Sequence, residues 1–163
     1  MSKINLGCGN FPLSGYVNHD IIKHRPEIDI AFDLDNKNWS DDLFSLKMRV
    51  VGTPNPLYID LFEEIRAYDV IEHLNNPLEF INQCWLSLKD GGILDLKACG
   101  FGNENFWIDI THKKPFHIKS FDYLDPTIDL GKELSFYTDK KWQILDKHYD
   151  RHGNVLVKLK KLD

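Results

Sequence analysis

The stretch Ile4-Asn5-Leu6-Gly7-Cys8-Gly9-Asn10 decides how the chain is read. Lys3 to Leu6 has the composition of a short buried strand, and Gly7-Cys8-Gly9-Asn10 breaks it. Glycine lacks a Cβ, so two of them let the backbone turn sharply and come close to a ligand. A strand feeding such a turn is the general layout of a nucleotide-cofactor site, although a plain strand-ending turn has the same appearance. Working outward, Tyr16 to Asp20 reads as a second strand ending in an acid. Ile28 to Phe32 reads as a third, followed by Asp33-Leu34-Asp35. A carboxylate at the second strand end can accept hydrogen bonds from both hydroxyls of a ribose. One at the third can accept from an adenine amino group. Random surface acids would not track strand ends so regularly.

Further along, Ser40 is expected to cap a helix with Asp41 and Asp42 in its first turn, where negative charge suits the helix dipole. Thr53-Pro54-Asn55-Pro56 reads as a loop. A helical turn over Ile59 to Glu64 and a fourth strand within Glu64 to Val70 come next, followed by Glu72-His73-Leu74. Pro77 to Leu88 is the clearest helix, with Pro77 suited to its first turn and Leu78, Ile81, Trp85 and Leu88 forming an apolar stripe. Asp90-Gly91-Gly92 turns the chain into a fifth strand, Ile93 to Lys97. Gly100 to Asp125 is irregular, with a short helix over Ser120 to Leu124. Trp142 to Tyr149 and Val155 to Leu159 form a hairpin about Arg151-His152-Gly153-Asn154. The expected architecture is one α/β domain, Rossmann-like, with a mostly parallel sheet whose ligand sits beyond the carboxyl ends of the strands.

Composition sets bounds on function. The 163 residues suit one domain, and 42% hydrophobic with 28% charged residues is ordinary for a globular protein. A net charge of −5 weighs against nucleic acid as a partner, because a basic surface supplies most of that affinity. Lys158, Lys160 and Lys161 read as a solvated strand face. Cys8, Cys84 and Cys99 are odd in number and form no CxxC pair, which argues against a zinc site or a disulfide framework. No apolar run approaches the roughly 20 residues needed to cross a bilayer, and no signal peptide is read at Met1-Ser2-Lys3. The expected compartment is the cytoplasm.

Four segments, INLGCGN, GYVNHDI (Gly15 to Ile21), AYDVIEHL (Ala67 to Leu74) and LKDGGIL (Leu88 to Leu94), together resemble the class I S-adenosylmethionine-dependent methyltransferases, nearest the type 11 branch. The resemblance covers Lys3 to Tyr123 and implies a seven-stranded sheet whose last strand is antiparallel. It implies S-adenosylmethionine as cofactor, and Leu6, Gly7, Cys8 and Gly9 as the loop near its amino-acid portion. By the same resemblance Asp20 binds the ribose, Ile21 lies beside the adenine, and Asp33 and Leu34 flank it. The strand-four segment containing Tyr68, Asp69, Val70 and His73 lines the methionine end; for His73 a purely structural role is also open.

Three departures from the family pattern stand out. Asn5 occupies a position that often carries an acid, and Phe11 replaces a third glycine. The link from Asn10 to the second strand is too short for the usual crossover helix, since parallel connections take about a dozen residues or more. The chain also opens directly on strand one, so an open cofactor side, or one covered by another chain, is expected. A dinucleotide fingerprint starting at Gly7 would require glycine at position 12, which is Pro12.

The segment Trp107-Ile108-Asp109-Ile110-Thr111-His112-Lys113-Lys114-Pro115-Phe116-His117 follows strand five. Some relatives show a similar Asp-x-Thr-His run there, which makes Asp109, Thr111 and His112 candidates for the active site. A histidine near its ordinary pKa of ~6.5 can accept a proton from a hydroxyl or amine being methylated. The other reading is that Asp109 and His112 tie down a long loop. The spacing of Asp109, His112 and His117 matches no recognised ligand pattern, so no metal is expected. The function expected is methyl transfer to a small-molecule acceptor by a monomer or homodimer. The alternative is a non-catalytic module that binds the cofactor, a nucleoside or a protein partner on the same fold.

Overall fold

The computed structural model describes residues 2–41, 43 and 62–163. Seven strands form one sheet: β1 (Lys3–Leu6), β2 (Val17–Asp20), β3 (Ile30–Ala31), β4 (Phe62–Tyr68), β5 (Leu88–Ala98), β6 (Trp142–Tyr149) and β7 (Val155–Lys161). Their order is β3-β2-β1-β4-β5-β7-β6. The first five strands run parallel. β7 is inserted antiparallel between β5 and β6. The sheet and its antiparallel terminal hairpin are those expected. The chain steps outward from β1 to β3 and then returns to the other side of β1, so the strand order reverses between β1 and β4. Open α/β sheets bind their ligands at such a reversal.

Strand alternation places Ile4, Leu6, Ile65, Ala67, Leu94, Leu96, Val157 and Leu159 in the core. The intervening positions make a half-buried polar ladder. Lys3 pairs with Glu64 at 2.5 Å, and Tyr16 also donates to Glu64. Arg66 lies 3.6 Å over the Tyr68 ring, whose hydroxyl donates to Asp95 at 3.2 Å. Asp95 stands opposite Lys158 on β7. Parallel sheets covered on both faces read as continuous apolar runs; β4 and β5 alternate instead, as a sheet with one wet face does.

The helix Pro77–Ser87 starts where expected, with the Asn76 side chain accepting from Glu79 N at 3.2 Å. Its buried face is Phe80, Ile81, Cys84 and Ser87, while Leu78 and Trp85 of the expected stripe are only half-buried. The Trp85 indole instead donates to Lys141 O at 3.0 Å. Four other expectations shift. Residues 39–41 are helical, so Ser40 lies inside a helix rather than at its cap; its hydroxyl donates to Gln83 at 2.5 Å. Residues 62–64 belong to β4 and not to a helical turn. β5 begins at Leu88, so Asp90-Gly91-Gly92 is an irregularity within the strand. A 3-10 helix spans Ile118–Leu124, longer than expected. Asp42, the loop at 53–56 and residues 59–61 lie outside the described residues. No helix among the described residues is long and apolar enough to cross a membrane.

The short link from β1 to β2 contains no helix among the described residues, as its length requires. Two buried asparagines hold it instead. Asn5 donates to Phe11 O at 3.1 Å and to Asn18 Oδ1 at 3.2 Å. Asn18 in turn accepts from Leu13 N at 2.8 Å and donates to Leu13 O at 3.1 Å. The neutral amide at position 5 thus donates both of its N–H groups to the link, which a carboxylate could not, and its Oδ1 accepts from Arg66 at 3.4 Å.

His19 completes the link. Its Nδ1 accepts from Gly7 N at 3.2 Å, and its Nε2 donates to Phe32 O at 3.0 Å, which defines a neutral tautomer. The side chain belongs to a residue only 1% exposed. Burial lowers its pKa from 6.5 to about 4. Between those values the unfolded chain binds a proton that the folded chain refuses, so stability falls as pH falls through that window. The expected loss is about 3 kcal/mol by pH 4, at 1.36 kcal/mol per pKa unit. Urea denaturation across pH compared with His19→Gln checks this: the variant should lack that component of the slope.

Candidate functional site

The carboxyl ends of β1, β2, β3 and β4 surround a cleft of about 320 Å³. Gly7 and Gly9 turn the chain at φ 61° and 52°, left-handed values that suit glycine. A Cβ on Gly7 would lie 2.3 Å from Val70 Cγ2, so close packing of loop against β4 depends on its absence. A Cβ on Gly9 would meet open space. Asp20 holds this loop: Oδ2 accepts from Gly9 N at 2.6 Å and Oδ1 from Ile21 N at 2.7 Å. Asp33 shapes the next strand end by accepting from Asp35 N at 2.9 Å.

Asp69 adopts φ 57°, a left-handed value uncommon for a residue with a side chain. Its N–H donates to Lys97 O at 3.0 Å, and its carboxylate pairs with Lys97 Nζ at 2.5 Å. The backbone turn thereby aims this acid across the sheet end. Of the residues expected to bind cofactor, Gly7, Gly9, Asp20 and Ile21 line this cleft together with Asp33, Leu34, Asp69, Val70 and His73. Leu6 is buried in the core beneath it and offers no side chain to the cleft. Cys8 and Tyr68 line a neighbouring groove that also contains Asn5 and Arg66.

A second cavity of about 380 Å³ adjoins the first and shares Asp69 and His73 with it. Asp109 and His112, both singled out in the sequence, line it. His73 and His112 meet edge to face with ring centroids 4.6 Å apart, and Phe106 stacks on His112 at 5.8 Å. Thr111 joins the groups: its hydroxyl donates to Asp109 Oδ1 at 2.6 Å and contacts His73 Nδ1 at 2.9 Å. The Thr111 hydroxyl holds Asp109 below the usual carboxylate range, and burial, with His112 next, lowers His73.

Sequence reasoning missed several lining residues. Glu72 is only 1% exposed; its carboxylate accepts from Cys99 N at 2.9 Å. Burial pushes its pKa up to about 7, with Asp69 adding to the rise. Burial also pushes the Cys99 thiol up to about 11, which suits a packing group and not a thiolate. Lys97 and Asn154 reach the cavity from β5 and the β6–β7 turn. Glu72 stood within a quoted motif and Lys97 at a strand end, and those were the available signals; Asn154 gave none.

No family model matches the chain, and no curated protein sequence matches it. Solved structures do. A methyltransferase dependent on S-adenosylmethionine from Archaeoglobus fulgidus superposes with a TM-score of 0.58 at 14% identity, covering 98% of this chain and 86% of that one. One from Thermotoga maritima gives 0.59 at 16% identity, covering 98% and 82%. The N-methyltransferase NodS from Bradyrhizobium japonicum, in complex with S-adenosylhomocysteine, gives 0.52 at 12% identity, covering 99% and 78%. The fold is that of the class I methyltransferases. Within that fold, the cleft at the strand-order reversal and the cavity beyond it are the candidate functional site.

Proposed function

We propose that the chain transfers a methyl group from S-adenosylmethionine to a small acceptor. The observation that carries this reading is the pair of adjoining cavities that meet at Asp69 and His73. A methyl-transfer site needs a donor compartment and an acceptor compartment in contact, because the protein's work is largely to align the two and exclude water.

The first cleft suits the cofactor. Gly9 leaves open space where a side chain would otherwise stand, and Asp20 offers a carboxylate beside it. In this reading Gly7 and Gly9 approach the amino-acid portion, Asp20 accepts from the ribose, and Ile21, Asp33 and Leu34 border the adenine. The cofactor, when bound, supplies an electrophilic methyl on a positive sulfur. The chain's own groups act on the acceptor side. His112 and Asp109 hold the acceptor and receive a proton from its hydroxyl or amine. The bound product in the NodS structure supports the cofactor class.

Calorimetric titration with S-adenosylmethionine and S-adenosylhomocysteine tests the proposal. Both should bind, and Asp20→Ala should lose both. Failure of either ligand to bind overturns the reading. Binding followed by no transfer to any acceptor in a broad screen would leave a nucleoside-binding module.

A further inference from the structure

The geometry points to a divalent metal site at His73, Asp109 and His112, on the wall of the second cavity. One ligating atom from each residue lies within 4.8 Å of the others. His112 Nε2 is 3.8 Å from Asp109 Oδ2. Two donors on one tetrahedral ion at ordinary bond lengths stand roughly 3.4 Å apart. Small side-chain shifts therefore bring the groups onto a shared ion.

Two buried groups beside this cluster are incompletely paired. The His112 side chain is only 8% exposed, yet its Nδ1 has no hydrogen-bond partner among the described residues. Glu72 lines the same cavity, and its buried Oε2 also lacks a partner. Buried polar atoms are nearly always paired, so both are unusual, but neither is one of the ligating atoms, and the proposal stands on the geometry of the three side chains.

The surrounding hydrogen bonds prepare the donors. Thr111 gives its hydroxyl proton to Asp109 Oδ1, so its oxygen accepts the proton on His73 Nδ1. His73 Nε2 then keeps its lone pair. Fixing the tautomer of a metal-binding histidine through its other nitrogen is the usual outer-shell arrangement. Asp109 Oδ2 remains on the His112 side.

Two imidazoles and one carboxylate select a divalent first-row transition ion over calcium or magnesium, which prefer all-oxygen shells. With three protein ligands the ion keeps an open position for an oxygen or nitrogen of a cavity occupant. Sequence spacing argues against a metal because Asp109, His112 and His117 do not form a ligand set. The fold replaces His117 with His73, which arrives from the end of β4. The site rests on this geometry and not on methyl transfer; an ion there occupies the lone pairs of His112 Nε2 and Asp109 Oδ2, so their role as proton acceptors belongs to the metal-free chain.

The test uses the chelator-treated full chain, without any cofactor, titrated with Co²⁺ and followed by visible ligand-field absorption. One Co²⁺ per chain should bind, and Zn²⁺ should displace it. Asp109→Asn and His73→Gln should each weaken binding at least tenfold. Asp109 is 47% exposed, so its variant should keep the parent's circular dichroism even where a His112 variant fails to fold. No absorption at stoichiometric Co²⁺, or equal affinity in the folded variants, overturns the proposal.

Discussion

Gly9→Arg is expected to abolish cofactor binding while leaving the fold standing. A Cβ at this position meets open space, so the new side chain has no protein neighbour to displace. Gly9 lines the cleft together with Asp20, Asp33 and Val70, so a long charged side chain there is expected to compete with the cofactor. The cost to the fold is the left-handed backbone at φ 52°, about 1–2 kcal/mol for a residue with a Cβ. For a chain of this size that lowers the melting temperature by roughly 2–8 °C. Affinity for S-adenosylhomocysteine should fall on the order of a thousandfold, equivalent to about 4 kcal/mol. Calorimetry beside a thermal melt separates the two effects. Unchanged affinity in the folded variant would remove the cofactor from this cleft.

The second large effect is on stability. Gly100→Ala is expected to cost about 3 kcal/mol, the upper part of the overpacking range. Its Cβ would lie 1.8 Å from Gly153 O and 3.0 Å from the Gly153 carbonyl carbon, and backbone cannot swing aside as a flexible side chain does. Both chains at this contact are held. Gly100 bridges to Phe116, and Asn103 N donates to Gly100 O at 3.0 Å. Across the gap, the Asp150 carboxylate fixes the β6–β7 turn through His152 N at 2.8 Å and Asn154 N at 2.9 Å. Gly102→Ala is the control, because its Cβ meets nothing within 4 Å. Guanidinium denaturation should show a large fall in midpoint for the first variant and almost none for the second. Similar midpoints would mean that the turn yields.

The fold was legible because its signals are local. A strand ending in Gly7-Cys8-Gly9, acids at Asp20 and Asp33, and a turn at Arg151–Asn154 each announce themselves within a few residues. The cleft at the first four strand ends was legible for the same reason. The second cavity was only half so. Asp109 and His112 share a short segment, but His73 joins them through a tertiary contact that no spacing reveals. The role of His19 was not legible because it depends on Gly7 and Phe32, each just past the end of a neighbouring strand. Of the helix stripe, Ile81 and Leu88 face the core as expected, but Phe80 and Cys84 join them in place of Leu78 and Trp85, and the amphipathic Trp85 keeps a polar partner at the rim.

The polar ladder of Lys3, Glu64, Arg66, Tyr68 and Asp95 bears on how this chain changes over generations. Its rungs are held by paired charges in half-wet surroundings, where exchange of one polar residue for another costs little. Ile65, Ala67, Leu94 and Leu96, one step along the same strands, are fully buried and have no such latitude. Inheritance therefore acts on the sheet as on two separate surfaces. One can drift, acquiring a new charge pattern and with it a new neighbour, while the other keeps the strand ends and their cleft in place.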